Sequence, residues 1–182
     1  TARKFGPKMQ LGYIPDPFGH ISQMPQILHG FGIGEACLQR GLDDHPLEFL
    51  WQAPDGSQVM MAYLRDGYGN AALLPATRQE EFTRDIRRLR DSLQDHTTTK
   101  HVLLMQGTDH TAPPFETSAA IDGTAGKLDG DILIHSTLPD FIHAVKQDIQ
   151  NQGIELPILR GELRSSKRFH LLPGVLSTRM WI

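Results

Sequence analysis

The chain has 182 residues, which suits one domain of ordinary size or a part of a larger one. Lys and Arg number 18 against 21 Asp and Glu, so no basic excess exists to hold a nucleic-acid backbone or an anionic membrane. The single cysteine, Cys37, excludes an internal disulfide and fits a reducing compartment. No apolar run approaches the roughly 20 residues that span a bilayer. We therefore expect a cytoplasmic protein that binds neither nucleic acid nor membrane.

Short apolar runs alternate along the chain with longer amphipathic stretches, a pattern typical of βα units. It predicts an α/β fold with a mostly parallel sheet and flanking helices. The predicted strands are 9–14, 31–38, 101–105, 131–135 and 156–159, together with a hairpin over 47–64 that turns at Pro54–Ser57.

Helices are predicted after Ser22, after Thr77 and after Thr137, each of which is a suitable N-cap residue. Thr77 and Glu80 have the spacing of a capping box, and apolar residues follow at helical intervals from Phe82. A weaker helix is predicted within 115–128. After Arg164 the composition changes, so we expect residues 1–164 to form one domain and 165–182 to be a linker and the start of a helical domain.

Two aspartates follow predicted strands, where functional groups of parallel α/β sheets lie. Asp16 follows the strand 9–14, and Asp109 follows the strand 101–105. Two carboxyl groups at one sheet edge provide what acid/base or nucleophile-plus-acid chemistry needs. Taken alone, Asp109 is better explained as an ordinary loop or helix-cap residue.

The segment 15–20 favours a functional role for Asp16, because prolines on both sides restrict its backbone. Phe18 offers an aromatic ring beside it. His20 is interpreted either as a helix-entry histidine bonded to the backbone or as a site residue. Trp51 is interpreted as a packing residue of the hairpin or as a platform for a polar ligand such as a sugar.

His170 lies in an irregular stretch, where its imidazole could share a metal ion with a carboxylate from a distant part of the chain. A zinc site would need at least one further ligand, and the sequence contains no close-spaced ligand motif such as HExxH. Cys37 has no catalytic context and is interpreted as a small buried apolar residue. The glycines of 30–34 match no phosphate-binding motif, which disfavours nucleotide binding.

Three blocks of the sequence together resemble glycoside hydrolase family 38, the α-mannosidases, in its bacterial branch. GYIPDPFGHISQMPQILHGFGI (12–33) resembles the first motif of that branch, and LLMQGTDH (103–110) is similar to the second. LPILRGELR (156–164) and HLLPGVLSTRMWI (170–182) resemble the passage from the catalytic α/β domain into a helical bundle. The segment 112–130 is only loosely similar.

The resemblance implies a retaining hydrolase of terminal α-linked mannose that uses a divalent metal, usually zinc. It implies that Asp16 is the nucleophile and a metal ligand, that Asp109 is the general acid/base, and that His170 is a second metal ligand. Phe18 would line the sugar subsite and Arg40 would contact substrate. The partners implied are a mannose-containing oligosaccharide or mannoside and the remainder of the parent chain. Homo-oligomerisation stays open.

One departure from the family concerns the metal. The remaining ligands of the family, a His-x-Asp pair, do not occur ahead of Asp16 in this chain. We therefore expect a part of a β/α barrel-like catalytic domain, with weak metal binding and little activity by itself. Two alternatives are a non-catalytic carbohydrate-binding α/β module and a metal-dependent hydrolase of another substrate, such as a deacetylase-like barrel.

Overall fold

The computed structural model describes residues 4–112 and 114–172, and these form two compact units. The first unit contains residues up to Tyr63 together with the segment that starts at Leu156. The second unit is Leu64–Glu155.

The first unit contains a mixed five-stranded sheet in the order β1-β2-β4-β3-β5. The strands are β1 (Gly12–Ile14), β2 (Glu35–Leu38), β3 (Glu48–Gln52), β4 (Gln58–Tyr63) and β5 (Ile158–Arg160). Three neighbouring pairs are parallel, and only β3 with β4 is antiparallel. The prediction of an α/β fold with a mostly parallel sheet is thus confirmed for this unit.

The antiparallel pair is the predicted hairpin. Its turn places Gly56 at φ +89°, and Asp55 accepts hydrogen bonds from the backbone and the hydroxyl of Ser57. Both strands are mostly buried, because they lie inside the sheet between β2 and β5. Trp51 is fully buried and donates from Nε1 to the carbonyl of Gly161 at 3.1 Å. Trp51 is therefore a packing residue, as one of its two interpretations predicted.

Helix α1 (Met24–Gly30) lies between β1 and β2 in the chain and buries Pro25 and Leu28. The predicted N-cap, Ser22, is wrong: the cap position is Gln23, whose side chain makes no capping bond. Pro25 at the start of the helix has a fixed φ suited to a first turn, so the helix begins without a side-chain cap.

The second unit contains the helices α2 (Gln79–Leu93), α3 (Thr117–Asp122) and α4 (Leu138–Gln152). Phe82 and Ile86 of α2 pack with Ala120 of α3 and with Leu128 to form its core. The capping box of Thr77 and Glu80 is not formed, because α2 begins two residues after Thr77 and Arg78 occupies the cap position. The prediction for α4 is confirmed, since the hydroxyl of Thr137 accepts from the Asp140 backbone N–H.

Two predicted strands, 101–105 and 131–135, are neither helix nor strand in the structure. A strand requires a hydrogen-bonded neighbour, and within residues 4–112 and 114–172 neither segment has a ladder. Ile132 and Ile134 stay 82% and 71% exposed. Both strand predictions are therefore wrong, because burial needs a partner that the local sequence does not supply.

No helix of the described ranges is both long and apolar enough to cross a membrane. The domain boundary predicted at residue 164 stays a prediction, and residues 173–182 lie outside the described part.

Candidate active site

Asp16 lies just beyond the carboxyl end of β1, and its carboxylate is held by Arg40. Nε and Nη2 of Arg40 both lie 2.7 Å from Oδ1 of Asp16. The Arg40 side chain is only 13% exposed, whereas that of Asp16 is 43% exposed. The Asp16 carboxylate is thus open to solvent, and the largely buried Arg40 side chain fixes its position.

The parallel register of the first two strands explains why these residues meet. Ile14 of β1 is paired with Leu38 of β2. Asp16 and Arg40 each follow two residues after the end of their strand, so they reach the same edge of the sheet side by side. The carboxyl ends of parallel strands are where α/β proteins place their functional groups.

Phe18, Phe169 and His170 complete the surroundings of Arg40. The Arg40 guanidinium carbon lies 4.2 Å from the centre of the Phe18 ring and 5.9 Å from that of Phe169. Nη1 donates to the carbonyl of His170 at 2.9 Å. Arg40 thereby contacts two other segments of the first unit, residues 16–18 and 169–170, and both fix its geometry.

The segment 161–170 is fastened to the sheet edge by backbone bonds. His20 and Leu163 exchange N–H donors at 3.1 and 3.0 Å, and Ser165 donates to Gly41 at 3.0 Å. Lys167 and Arg168 form ion pairs with Asp44. These contacts bring a stretch far along the chain to Arg40, which sequence reasoning could not foresee.

The His20 ring does not make the hydrogen bond of the first interpretation with any described residue, and a direct role in the site stays a prediction. The residue is 5% exposed, its ring meets Trp51 edge to face with centroids 5.9 Å apart, and neither ring nitrogen has a hydrogen-bond partner in the described ranges. Burial lowers the pKa of His20 to about 4. Cys37 is fully buried as predicted, and burial raises the pKa of its thiol to about 12, so it is unreactive.

Asp109 lies in the second unit, in the loop after the segment 101–105, and is exposed. Its Oδ2 accepts a hydrogen bond from the hydroxyl of Tyr68 at 2.9 Å. The backbone around it is unusual: Gly107 has φ +145°, and His110 has φ +61° although it is not glycine. A positive φ at a non-glycine residue such as His110 is uncommon and is enriched at functional sites, whereas glycine adopts it readily.

The predicted metal ligands do not by themselves fit a zinc site. Within residues 4–112 and 114–172, no group of three or more His, Cys, Asp or Glu side chains is arranged to hold a metal ion. Zinc sites in proteins use at least three protein ligands, and the prediction supplies only Asp16 and His170. The described contact of His170 with Arg40 is made by its backbone carbonyl.

Two contacts of candidate residues are not evident from the sequence. The resemblance gave Arg40 a contact with substrate, but the structure shows it bound to Asp16. The contact could have been predicted from the position of Arg40 just after a strand that runs parallel to β1. Tyr68 was not singled out, since only the fold brings it beside Asp109, 41 residues later.

Comparisons with known proteins point to one family. The chain is 34% identical over 98% of its length to the "Putative mannosylglycerate hydrolase" of Halalkalibacterium halodurans, of which it spans 21%. It is 33% identical over 37% of its length to the Alpha-mannosidase 2C1 of Homo sapiens, of which that match covers 7%. The crystal structure of an alpha-mannosidase from Enterococcus faecalis V583 superposes with a TM-score of 0.82 at 26% identity, over 90% of this chain and 19% of that one.

The chain thus spans about one fifth of the length of the first of these relatives. Residues 1–162 match the sequence model of the N-terminal domain of glycosyl hydrolases family 38. This match includes Asp16, Arg40 and Asp109, and the resemblance noted in the sequence is confirmed. The chain therefore belongs to the N-terminal domain family of the family 38 glycosyl hydrolases.

Proposed function

We propose that the protein containing this chain hydrolyses terminal α-linked mannose with retention of configuration. Family membership supports the reaction class. The observation that carries the assignment of residues is the Asp16 carboxylate, which stands open to solvent at the end of β1 while Arg40 holds it. Retention needs one carboxylate that attacks the sugar and one carboxyl group that acts as acid and then as base.

Asp16 is the proposed nucleophile. Both bonds from Arg40 fall on Oδ1, so Oδ2 receives neither of them. Oδ2 attacks the anomeric carbon, and the bond to the leaving oxygen breaks. The guanidinium neutralises the carboxylate charge and restricts its rotation, which reduces the entropy lost on reaching the attacking geometry.

Asp109 is the proposed acid/base. Its proton passes to the leaving oxygen as the glycosidic bond breaks, which leaves a carboxylate. That carboxylate then takes a proton from water while the water oxygen attacks the anomeric carbon and releases Asp16. Its exposure and its well-defined partner, Tyr68, suit a group that exchanges protons with substrate and water.

Phe18 is the proposed wall of the sugar subsite. It is 40% exposed, and one face of its ring is covered by Arg40. An aromatic ring fixed in this way offers its free surface to the apolar C–H face of a sugar. Arg40 is mainly occupied by Asp16, Phe18 and His170, so a direct contact with substrate is a secondary role.

Mannosylglycerate is a specific substrate candidate. The relative that matches 98% of this chain carries a name for that activity, whereas the match to Alpha-mannosidase 2C1 covers 37%. We expect the protein to cleave mannosylglycerate with a higher kcat/KM than mannose-terminated oligosaccharides. Equal or reversed values would assign it to oligosaccharides instead.

The remaining expectations from the resemblance are part of this proposal. They are a larger barrel-like catalytic domain, a helical domain after residue 164, a cytoplasmic location, and a zinc ion with Asp16 and His170 among its ligands. Further zinc ligands would have to come from outside the described residues, and no proposed step depends on the metal.

The test uses the protein that contains this chain and a 2,4-dinitrophenyl α-mannoside, followed by proton NMR. The first sugar product should be the α-anomer, and Asp16→Asn should lower turnover at least about 10⁴-fold. Azide should react with the Asp109→Ala protein to give an α-mannosyl azide. A β-anomer as first product, or full turnover by Asp16→Asn, would contradict the proposal, and binding of mannosides without turnover would favour the carbohydrate-binding module.

A further inference from the structure

The hydroxyl of Tyr68 lies 2.9 Å from Oδ2 of Asp109, and both residues belong to the second unit. We infer that Tyr68 is a positioning residue that orients Asp109 for proton donation. The inference rests on the proposed function, since it assumes that Asp109 is the acid. It adds which oxygen of Asp109 carries the transferred proton and which loop holds that oxygen in place.

The loop that carries Tyr68 is attached to the segment that leads to Asp109. Oδ1 of Asn70 accepts from the backbone N–H of Met105 at 2.7 Å, and the N–H of Ala71 donates to the Met105 carbonyl at 3.0 Å. Both backbone polar groups of Met105 are therefore bound by consecutive residues of this loop. Tyr68 is two residues before Asn70, and Asp109 is four after Met105, so the two side chains leave from adjoining points.

Close approach of the two backbones requires glycine at position 69. A Cβ atom there would lie 2.8 Å from the carbonyl oxygen of Gly107 and 3.2 Å from Cβ of Thr108. The first distance is too short for a real contact with a backbone atom. Gly67 has φ +101°, a conformation that other residues adopt only with strain. The loop is thus shaped to lie directly against the residues before Asp109.

The hydrogen bond determines the chemistry of the two carboxyl oxygens. The phenol is a donor toward Oδ2, which accepts both as a carboxylate oxygen and as the carbonyl oxygen of the neutral acid. In the neutral acid the proton is then carried by Oδ1, the oxygen that does not face Tyr68. Oδ1 is therefore the donor to the leaving oxygen, and the bond from Tyr68 stops the carboxyl group from rotating away.

The test compares two substrates whose need for an acid differs. Phenyl α-mannoside has a poor leaving group and requires protonation, whereas 2,4-dinitrophenolate leaves without it. In the protein that contains this chain, Tyr68→Phe should lower kcat/KM about tenfold for the phenyl mannoside and less than about twofold for the dinitrophenyl mannoside. Gly69→Ala, which displaces the loop, should change the ratio of the two rates in the same direction.

Tyr63→Phe is the matched control, because its hydroxyl bonds to the Asp43 carbonyl at 3.3 Å in the first unit. It should leave the ratio of the two rates unchanged. Asp109→Ala should lose activity mainly on the phenyl mannoside. If it does, but Tyr68→Phe loses activity equally on both substrates or loses none on the phenyl mannoside, the inference about Tyr68 is overturned and the proposed function stands. If Asp109→Ala lacks that selectivity, or neither mannoside is cleaved, the proposed function fails and the inference with it.

Discussion

At the scale of single residues, Arg40 is the one whose contacts are best defined. Its side chain joins Asp16, Phe18 and the carbonyl of His170. Lysine carries the same charge but is a single point donor on a flexible stem, and it lacks the planar group that lies over an aromatic ring. The geometry around Asp16 therefore depends on arginine specifically and not only on positive charge.

We predict that Arg40→Lys lowers kcat/KM for an aryl α-mannoside about 100-fold in the protein that contains this chain, because the proposed nucleophile, Asp16, loses its fixed orientation. Steady-state kinetics measures the loss, and circular dichroism checks folding. Arg164→Lys is the control, since Arg164 is 55% exposed and pairs only with Glu162 among its described contacts. Wild-type kinetics in Arg40→Lys would contradict the assigned role.

His20 predicts a dependence of stability on pH. Its pKa is lowered by burial to about 4, below the ordinary value of 6.5, so the folded chain keeps the ring neutral while the unfolded chain protonates it. The stability contribution is complete above pH 6.5 and is lost as the pH falls toward 4. The free energy of unfolding should thus decrease by about 3 kcal/mol over this range from His20 alone.

The measurement is urea unfolding of the chain at pH 7 and at pH 4, for wild type and for His20→Leu. Carboxylates titrate in both proteins, so the difference between the two pH dependences isolates His20. His29→Leu, at an exposed histidine, controls for the loss of a surface imidazole. Identical pH dependences for wild type and His20→Leu would show that the ring is accessible to protons in the folded chain.

At the scale of elements, the close approach of Gly41 to the segment 161–170 positions the residues after β2. Gly41 has φ +97°, and a Cβ atom at this position would lie 2.6 Å from the carbonyl oxygen of Leu163. Gly56, in the β3–β4 turn, has a similar φ of +89° but no atom within 4 Å of its Cβ position. Substitutions at the two glycines therefore distinguish the cost of backbone strain from the cost of a steric clash.

We expect Gly56→Ala to cost about 1 kcal/mol of stability, from backbone strain alone. Gly41→Ala should cost about 3 kcal/mol or more, because the clash with Leu163 is added to the strain. Denaturant unfolding of both variants measures the difference. Equal losses in stability would mean that the segment 161–170 moves aside freely. Glycine at position 41 would then not be needed for the contact between Arg40 and the His170 carbonyl.

The N-terminus of α4 offers a second test at this scale. The Thr137 hydroxyl accepts from the Asp140 backbone N–H and donates to the Asp140 carboxylate at 2.7 Å. Thr137→Ala should lower the free energy of unfolding by about 1 kcal/mol. Ser136→Ala, at the exposed preceding residue, should change it by less than about 0.5 kcal/mol. A loss of similar size in Ser136→Ala would show that Thr137 is not the effective cap.

Elements with strong local patterns were predicted well from the sequence. The hairpin turn and the α4 cap depend on residues close together in the chain, and both formed as expected. The segments 101–105 and 131–135 have equally apolar sequences, but a strand depends on a neighbour from elsewhere. The cap positions of α1 and α2 each lie one residue after the predicted ones, and helix ends are the part of a helix that sequence patterns locate least sharply.

At the scale of the whole molecule, the zinc prediction requires ligands in addition to those that the described residues supply. Asp16 and His170 are only two proposed ligands, and two are too few for a zinc site. We predict that the protein containing this chain copurifies with about one zinc ion per molecule, whereas the 182-residue chain expressed alone binds zinc only weakly.

Metal analysis by mass spectrometry after extensive dialysis, with calorimetric titration of the isolated chain, measures both quantities. Asp122→Ala changes an exposed carboxylate at the end of α3, in the second unit, and it should leave zinc content unchanged. Tight binding by the isolated chain would show that its own residues suffice. A protein free of zinc that still cleaves mannosides would contradict the metal prediction.

The sequence by itself determined the family, the α/β class and the two candidate carboxylates, because strand, turn and motif patterns depend on residues that are near each other in the chain. Only the tertiary structure decided what holds those carboxylates. Arg40 reaches Asp16 through the parallel register of β1 and β2, and Tyr68 reaches Asp109 through a glycine loop packed against residues 105–108. Both contacts join residues 24 or more positions apart, where the pairing depends on strand register and loop packing and not on local propensity.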